Sequence, residues 1–134
     1  MSIASLNRLL TVSSLTLLAA CSQTPQTISL DEQQSSRCPL ELVRGQSVLI
    51  TLRSNPTTGF RWQVQDAAPS VLRSLGPEVY SNPEDSGLVG SAGQSSWRFE
   101  ATNPGGGRLL LVYRQPWEPN VAPAQTFECQ VTVE

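Results

Sequence analysis

From Cys38 to the last residue, apolar side chains recur at every second position, and clusters of Gly, Pro, Asn and Ser punctuate them. A period of two is the spacing of side chains on one face of an extended strand, so the pattern predicts strands with one buried and one solvated face. Cys38, Leu40 and Leu42 share one parity; after Gly45, Val48, Ile50 and Leu52 do the same, with Ser47, Thr51 and Arg53 opposite. Phe60, Trp62 and Val64 continue the series, followed by Trp97, Phe99 and Ala101, then Leu109, Leu111 and Tyr113, and finally Phe127, Cys129, Val131 and Val133. Between Leu72 and Tyr80 the alternation is weakened by Ser74, Gly76 and Pro77, so a strand there is the least defined. No segment carries a helical period of any length. About seven short strands with frequent turn signals predict an all-β fold, an immunoglobulin-like antiparallel β-sandwich.

In such a sandwich the chain reverses at each connection, so alternate loops emerge at the same end. If the strand from Gln46 to Arg53 rises, the loop over Ser54 to Gly59 lies at the top, as do the loops over Asn82 to Ser95 and Arg114 to Gln125. The Asn103-Pro104-Gly105-Gly106 turn lies at the bottom. The first top loop is short and stiff, because Pro56 fixes a backbone torsion, Asn55 can hydrogen-bond locally and Gly59 permits a left-handed turn. The second is rich in small residues, and the third presents Trp117 between Pro116 and Glu118-Pro119. Taken singly, each is an ordinary turn. Gathered at one end, stiff loops with an aromatic anchor form an interface.

The first twenty residues read as a targeting segment: Arg8 precedes a short apolar stretch through Leu18, too short for the roughly 20 apolar residues of a spanning helix. Leu18-Ala19-Ala20-Cys21 resembles the bacterial lipobox, in which the chain is cut before a cysteine whose sulfur is acylated. Residues 1–20 are then a lipoprotein signal peptide, 21–36 a lipidated N-terminus and polar tether, and 37–134 the folded domain. Within the tether, Ile28 and Leu30 could still pair as a short edge strand. Ordinary signal cleavage is the alternative, leaving Cys21 as a free thiol or a disulfide partner. With Cys21 assigned to lipid, Cys38 and Cys129 remain as a pair for an oxidising compartment. Both fall on the apolar parity, so a buried bridge is the simple expectation and two reduced thiols the alternative. The expected location is the bacterial cell envelope, lipid-anchored through Cys21. Ser22 rather than Asp after Cys21 favours the outer membrane, with the domain facing the periplasm or the exterior.

Charge narrows the chemistry. Nine basic residues, all Arg, stand against eleven acidic ones, with no run of five like charges. No nucleic-acid footprint follows. The chain of 134 residues suits one domain, expected to be a monomer, and it contains no histidine. That removes the Ser-His-Asp and Cys-His arrangements and the commonest zinc ligand, so neither an enzyme nor a metal or cofactor is expected. Glu84, Asp85 and Glu118 lie on the clustered loops and leave an acid-base reading open in principle, but a convex loop end offers them no pocket.

Together the three loops resemble those of the chagasin family of cysteine peptidase inhibitors, over nearly the whole domain from about Leu40. The first motif is complete as Asn55-Pro56-Thr57-Thr58-Gly59-Phe60, with Trp62 in the family's aromatic position. The second, a Gly-rich element, stands as Leu88-Val89-Gly90-Ser91-Ala92-Gly93, with Ala92 where the family often has Gly. The third, usually Arg-Pro-Trp after a Tyr-containing strand, stands as Tyr113-Arg114-Gln115-Pro116-Trp117, with Gln115 in the usual Arg place and Arg114 one position earlier. The resemblance implies reversible inhibition of papain-like cysteine proteases by three loops wedged into the active-site cleft. Thr57 and Thr58 would approach the catalytic Cys and His, Gly90 to Gly93 would lie along the substrate channel, and Trp117 would pack on the other side. A lipid-anchored envelope module that binds another protein or peptide with the same loops is the alternative. It does not account for three motifs in order.

Overall fold

The computed structural model describes residues 15, 26–82 and 93–134. Cys21, Gly90, Ser91 and Ala92 lie outside the described residues, as does nearly all of the signal segment. Nine strands occur among the described residues: β1 (Thr27–Leu30), β2 (Leu40–Leu42), β3 (Ser47–Ser54), β4 (Arg61–Ala67), β5 (Leu72–Ser74), β6 (Val79–Ser81), β7 (Gly93–Ala101), β8 (Gly105–Arg114) and β9 (Gln125–Val133). One sheet runs β1-β3-β7, with β5 and β6 sharing the far edge of β7; the other runs β2-β9-β8-β4. The two inner faces make one core. Val48, Ile50 and Leu52 from β3 and Trp97 and Phe99 from β7 meet Leu109 and Leu111 from β8 and Phe127, Cys129, Val131 and Val133 from β9, all buried. The period of two therefore predicted the inward face of four strands correctly.

The sandwich departs from a purely antiparallel one at two edges. β1 runs parallel to β3, and β2 runs parallel to β9. The chain passes from β1 in one sheet to β2 in the other, so neither strand is tied to its partner by a hairpin and either direction is open to it. The hydrogen-bonded structure also begins earlier than residue 37. Ile28 and Leu30 lie on an edge strand, with Leu30 only 1% exposed, and a 3-10 turn follows at Glu32–Arg37. Asp31 caps that turn by accepting from the N–H groups of Gln33 at 2.8 Å and Gln34 at 2.9 Å. The Glu32 carboxylate then accepts the Arg53 N–H, holding the segment against β3.

The weak stretch from Leu72 to Tyr80 resolves into two short strands rather than one. Ser74 and Gly76 bond to each other between them, which interrupts the ladder on β7. Val64 carries the inward parity yet is 39% exposed, because the register shifts between Val64 and Asp66 on an edge strand. Gly105 and Gly106, read as part of a turn, instead extend β8 together with Gly107, and the three pair with Val131 to Val133.

Cys38 and Cys129 are bridged, with their Cα atoms 5.3 Å apart and a sequence separation of 91. Closing a loop of that length is worth about 4–5 kcal/mol in chain-entropy terms, an upper value. The bridge joins the segment leading into β2 to the middle of β9.

Gly107 tests the packing at the bottom of the sandwich. A Cβ there would sit 2.8 Å from the Ala68 Cβ and 3.0 Å from a Val71 methyl, whereas one on Gly76 would meet nothing within 4 Å. Gly107→Ala is expected to cost about 1–3 kcal/mol in urea unfolding, and Gly76→Ala to change stability by less than about 0.5 kcal/mol.

Candidate functional site

β3 and β8 both end, and β7 begins, at one end of the sandwich. Ser54 pairs with Gly93, Ser81 with Gln94, and Trp62 with Tyr113. The strand ends that flank residues 55–60, 82–92 and 115–124 therefore lie at one end of the sandwich.

The first loop is a single 3-10 turn, Pro56–Thr58, and its polar groups are turned on itself. The Asn55 side-chain Oδ1 accepts from the Thr57 N–H at 3.3 Å and from the Thr57 hydroxyl at 2.5 Å. The Asn55 carbonyl accepts from the Thr58 N–H at 3.3 Å and its hydroxyl at 2.7 Å. Gly59 closes the turn with φ +83°, a torsion that side-chain-bearing residues rarely adopt, and its N–H donates to the Pro56 carbonyl at 3.0 Å. The Asx-type turn at Asn55 and the fixed torsion of Pro56 thus produce a loop shape that follows from its own sequence. Thr57 and Thr58 are exposed at its tip, while Phe60 is half-buried.

Below the loop lies an aromatic stack. Tyr113 is 8% exposed, with its ring centroid 5.3 Å from Phe60 and 5.0 Å from Trp62, and Trp62 meets Trp97 edge-on at 6.4 Å. The Tyr113 hydroxyl accepts the Asn55 N–H at 3.0 Å, and Trp62 Nε1 donates to the Arg53 carbonyl at 2.8 Å. Both polar handles of the buried aromatics are satisfied at the loop's entry. In the sequence Tyr113 stands on the apolar parity and opens the third motif; the structure adds the role of its hydroxyl. Its hydroxyl, placed one strand register from the start of the loop, was the available signal.

The third loop closes over the first. Trp117 is 64% exposed, yet its indole lies against Gly59 so closely that a Cβ there would overlap Trp117 Cη2. Gln115 Nε2 reaches the Thr58 carbonyl at 3.4 Å. Arg114 folds back along its own loop, with Nη1 donating to the Pro119 carbonyl at 2.8 Å. Arg61, which carried no expectation, does the same for the first loop: its Nη1 donates to the Pro56 carbonyl at 2.8 Å and the Phe60 carbonyl at 2.9 Å. Pro116 is exposed beside Trp117.

Of the second motif only Gly93 is described. It is buried at the start of β7, where a Cβ would come within 2.5 Å of the Ser81 carbonyl and the Tyr80 hydroxyl. Glycine at 93 is thus required by the approach of β6, at the root of the loop. The structure brings Asn55 to Phe60 together with Arg114 to Trp117 as one rigid surface; the second loop's Gly90, Ser91 and Ala92 are not placed. Glu118 lines a shallow cavity of about 200 Å³ with Phe60 and Arg114, and Glu84 and Asp85 lie outside the described residues.

Comparison with known proteins agrees with this arrangement. The chagasin family peptidase inhibitor I42 profile matches residues 41–131. Amoebiasin-1 of Entamoeba histolytica is 30% identical over 102 residues, covering 76% of this chain and 96% of that protein. The crystal structure of the cysteine protease inhibitor EhICP2 from Entamoeba histolytica superposes with a TM-score of 0.71 at 21% identity, covering 84% of this chain and 99% of that one. PbICP-C, solved in complex with falcipain-2, superposes with a TM-score of 0.51 at 16% identity, over 84% of this chain and 93% of its own. The family is one of inhibitors and not of enzymes, and this chain belongs to the chagasin family of peptidase inhibitors.

Proposed function

We propose that the protein is a reversible inhibitor of papain-like cysteine proteases, docking its loop end into the active-site cleft. The observation that carries this reading is the internal bonding of the first loop: Asn55 engages both threonine hydroxyls and both threonine N–H groups, so the tip is held in one shape before any partner arrives. Such preorganisation reduces the conformational entropy lost on docking, one of the costs such an interface must meet. Thr57 and Thr58 approach the catalytic pair as hydrogen-bond acceptors and methyl groups, because their hydroxyl protons are committed to Asn55. A peptidase attacks a carbonyl held in an extended chain. The 3-10 turn at Pro56–Thr58 offers it no such geometry. Trp117, exposed but seated on Gly59, is the anchor on the flank. Gly90, Ser91 and Ala92 complete the contact on the other side, with Gly93 at the root of their loop.

Lipid anchoring through Cys21 belongs to the same reading, with the domain on the outer membrane. β1 is parallel to β3 and its Thr27 pairs with Ser47, at the end of β3 remote from the first loop. The chain thus enters the domain at the end opposite the loops. Thr27 comes six positions after Cys21, a span of at most about 20 Å fully extended. The eight residues of β3 carry the loops roughly 26 Å further. An anchored molecule stands with its loops away from the bilayer.

Titration of papain with residues 22–134, followed by peptide hydrolysis, is expected to give stoichiometric, reversible loss of activity; full activity at micromolar inhibitor would refute the reading for papain. Trp117→Ala is expected to weaken inhibition by roughly 30-fold, the effect of a typical hot-spot residue, while leaving unfolding free energy within about 0.5 kcal/mol. Gly59→Ala should weaken inhibition as well, with a shift in Trp fluorescence because Trp117 is displaced. Cys21→Ser is expected to move the protein from the membrane fraction to the soluble fraction; unchanged membrane association would refute the lipid anchor.

A further inference from the structure

Arg61 and Arg114 stand directly opposite each other on β4 and β8. They lie on the outer face of that sheet, since their neighbours Trp62 and Tyr113 are buried. Like charges in this position repel, and a fold indifferent to them would place an acid nearby. Neither is neutralised by an ion pair: among the described residues the ion pairs within 4.0 Å are Arg73 with Glu100, and Arg108 with Asp66 and Glu128. Instead each guanidinium engages only main-chain carbonyls, through Nη1 alone.

This leaves the Nε–Nη2 edge of both side chains without a partner among the described residues. That edge is the one that binds a carboxylate side-on through two parallel hydrogen bonds. The Arg114 Nε is buried and has no hydrogen-bond partner, which is unfavourable in the free protein. Beside it opens the cavity of about 200 Å³ lined by Phe60, Arg114, Gln115, Glu118, Val121 and Ala124. Glu118 is the one acid on its wall, and it makes no ion pair with either arginine. The two arginines are held in place by the loops they brace, Arg61 by the first and Arg114 by the third.

We infer that Arg61 and Arg114 form a receiving site for a carboxylate on the rim of the partner protease's cleft, which makes acid-rimmed papain-like proteases the favoured targets. The inference rests on the inhibitory function proposed above. Its charge does not come from the third motif's usual arginine place, which holds Gln115; it comes from the two strand ends beside it.

The test compares association rates of the full chain with one papain-like protease that has acidic cleft-rim residues and with a variant of that protease whose rim carboxylates are neutralised. Arg61→Gln combined with Arg114→Gln is expected to slow association with the acidic enzyme about tenfold at low ionic strength, with the difference shrinking in 0.5 M salt. The neutralised enzyme should scarcely distinguish the two inhibitors. Arg61→Lys with Arg114→Lys should restore the steering but not the slow dissociation, since lysine lacks the planar edge. Equal slowing with both enzymes at every salt concentration would show that the arginines only brace the loops, and would overturn the site. So would no slowing at all. Failure of the unaltered chain to inhibit either enzyme would remove the proposed function itself, a result separate from any difference among variants.

Discussion

Where β3 leaves the sandwich, the N–H of Asn55 meets the hydroxyl of Tyr113 at 3.0 Å, and the rest of the loop end is arranged around that bond. Tyr113 belongs to the core by its ring, stacked between Phe60 and Trp62, and to the surface by its oxygen. A buried phenol that bonds a main-chain group fixes both its own rotamer and the backbone it touches. With the N–H of Asn55 fixed, its side chain and carbonyl are in place to collect four donors from the two threonines. The position of the tip is therefore set by the aromatic core beneath it, through Tyr113 of β8 in the sheet opposite β3.

That dependence explains why so small a domain can present a stiff surface. A 3-10 turn of three residues has little stability in isolation. Here it is held from below by Tyr113, from the side by Arg61 and from above by Trp117 and Gln115. The sandwich is secured in turn by the Cys38–Cys129 bridge and by continuous burial from β3 and β7 through to β8 and β9. Order thus passes from covalent staple to core to loop without a flexible step among the described residues.

The period of two made the sandwich legible from the sequence, because solvent on one face and core on the other leave a signature at each residue. The same parity located the loops at one end. What it did not reveal depends on partners distant in sequence. The direction of β1 and β2 is set by which sheet edge each reaches, and no alternation encodes that. Val64 follows the pattern but lies at a register shift that only its pairing with β8 defines. Gly105 to Gly107 look like a turn because glycine is a turn residue, yet Ala68 and Val71 press so closely on Gly107 that a side chain cannot fit. At the loop end, Asn55 to Phe60 and Trp117 were recognisable as motifs. The contact of the Tyr113 hydroxyl with the Asn55 N–H, and the bracing of the Pro56 and Phe60 carbonyls by Arg61, leave no mark on the alternation.

Gly59 and Trp117 show how such a surface constrains change over time. Position 59 is restricted twice, by a φ of +83° and by the indole that fills the space of its missing side chain. Position 117 is restricted by its contact with Gly59 and is otherwise open to solvent. Drift at the two sites is consequently one-directional: a lineage can replace the tryptophan first and keep a folded loop, but it cannot replace the glycine first. Even after the tryptophan has gone, the backbone torsion still holds glycine in place. The first loop therefore keeps its shape long after the third has begun to vary, and a target lost through the third loop can be regained there without rebuilding the first.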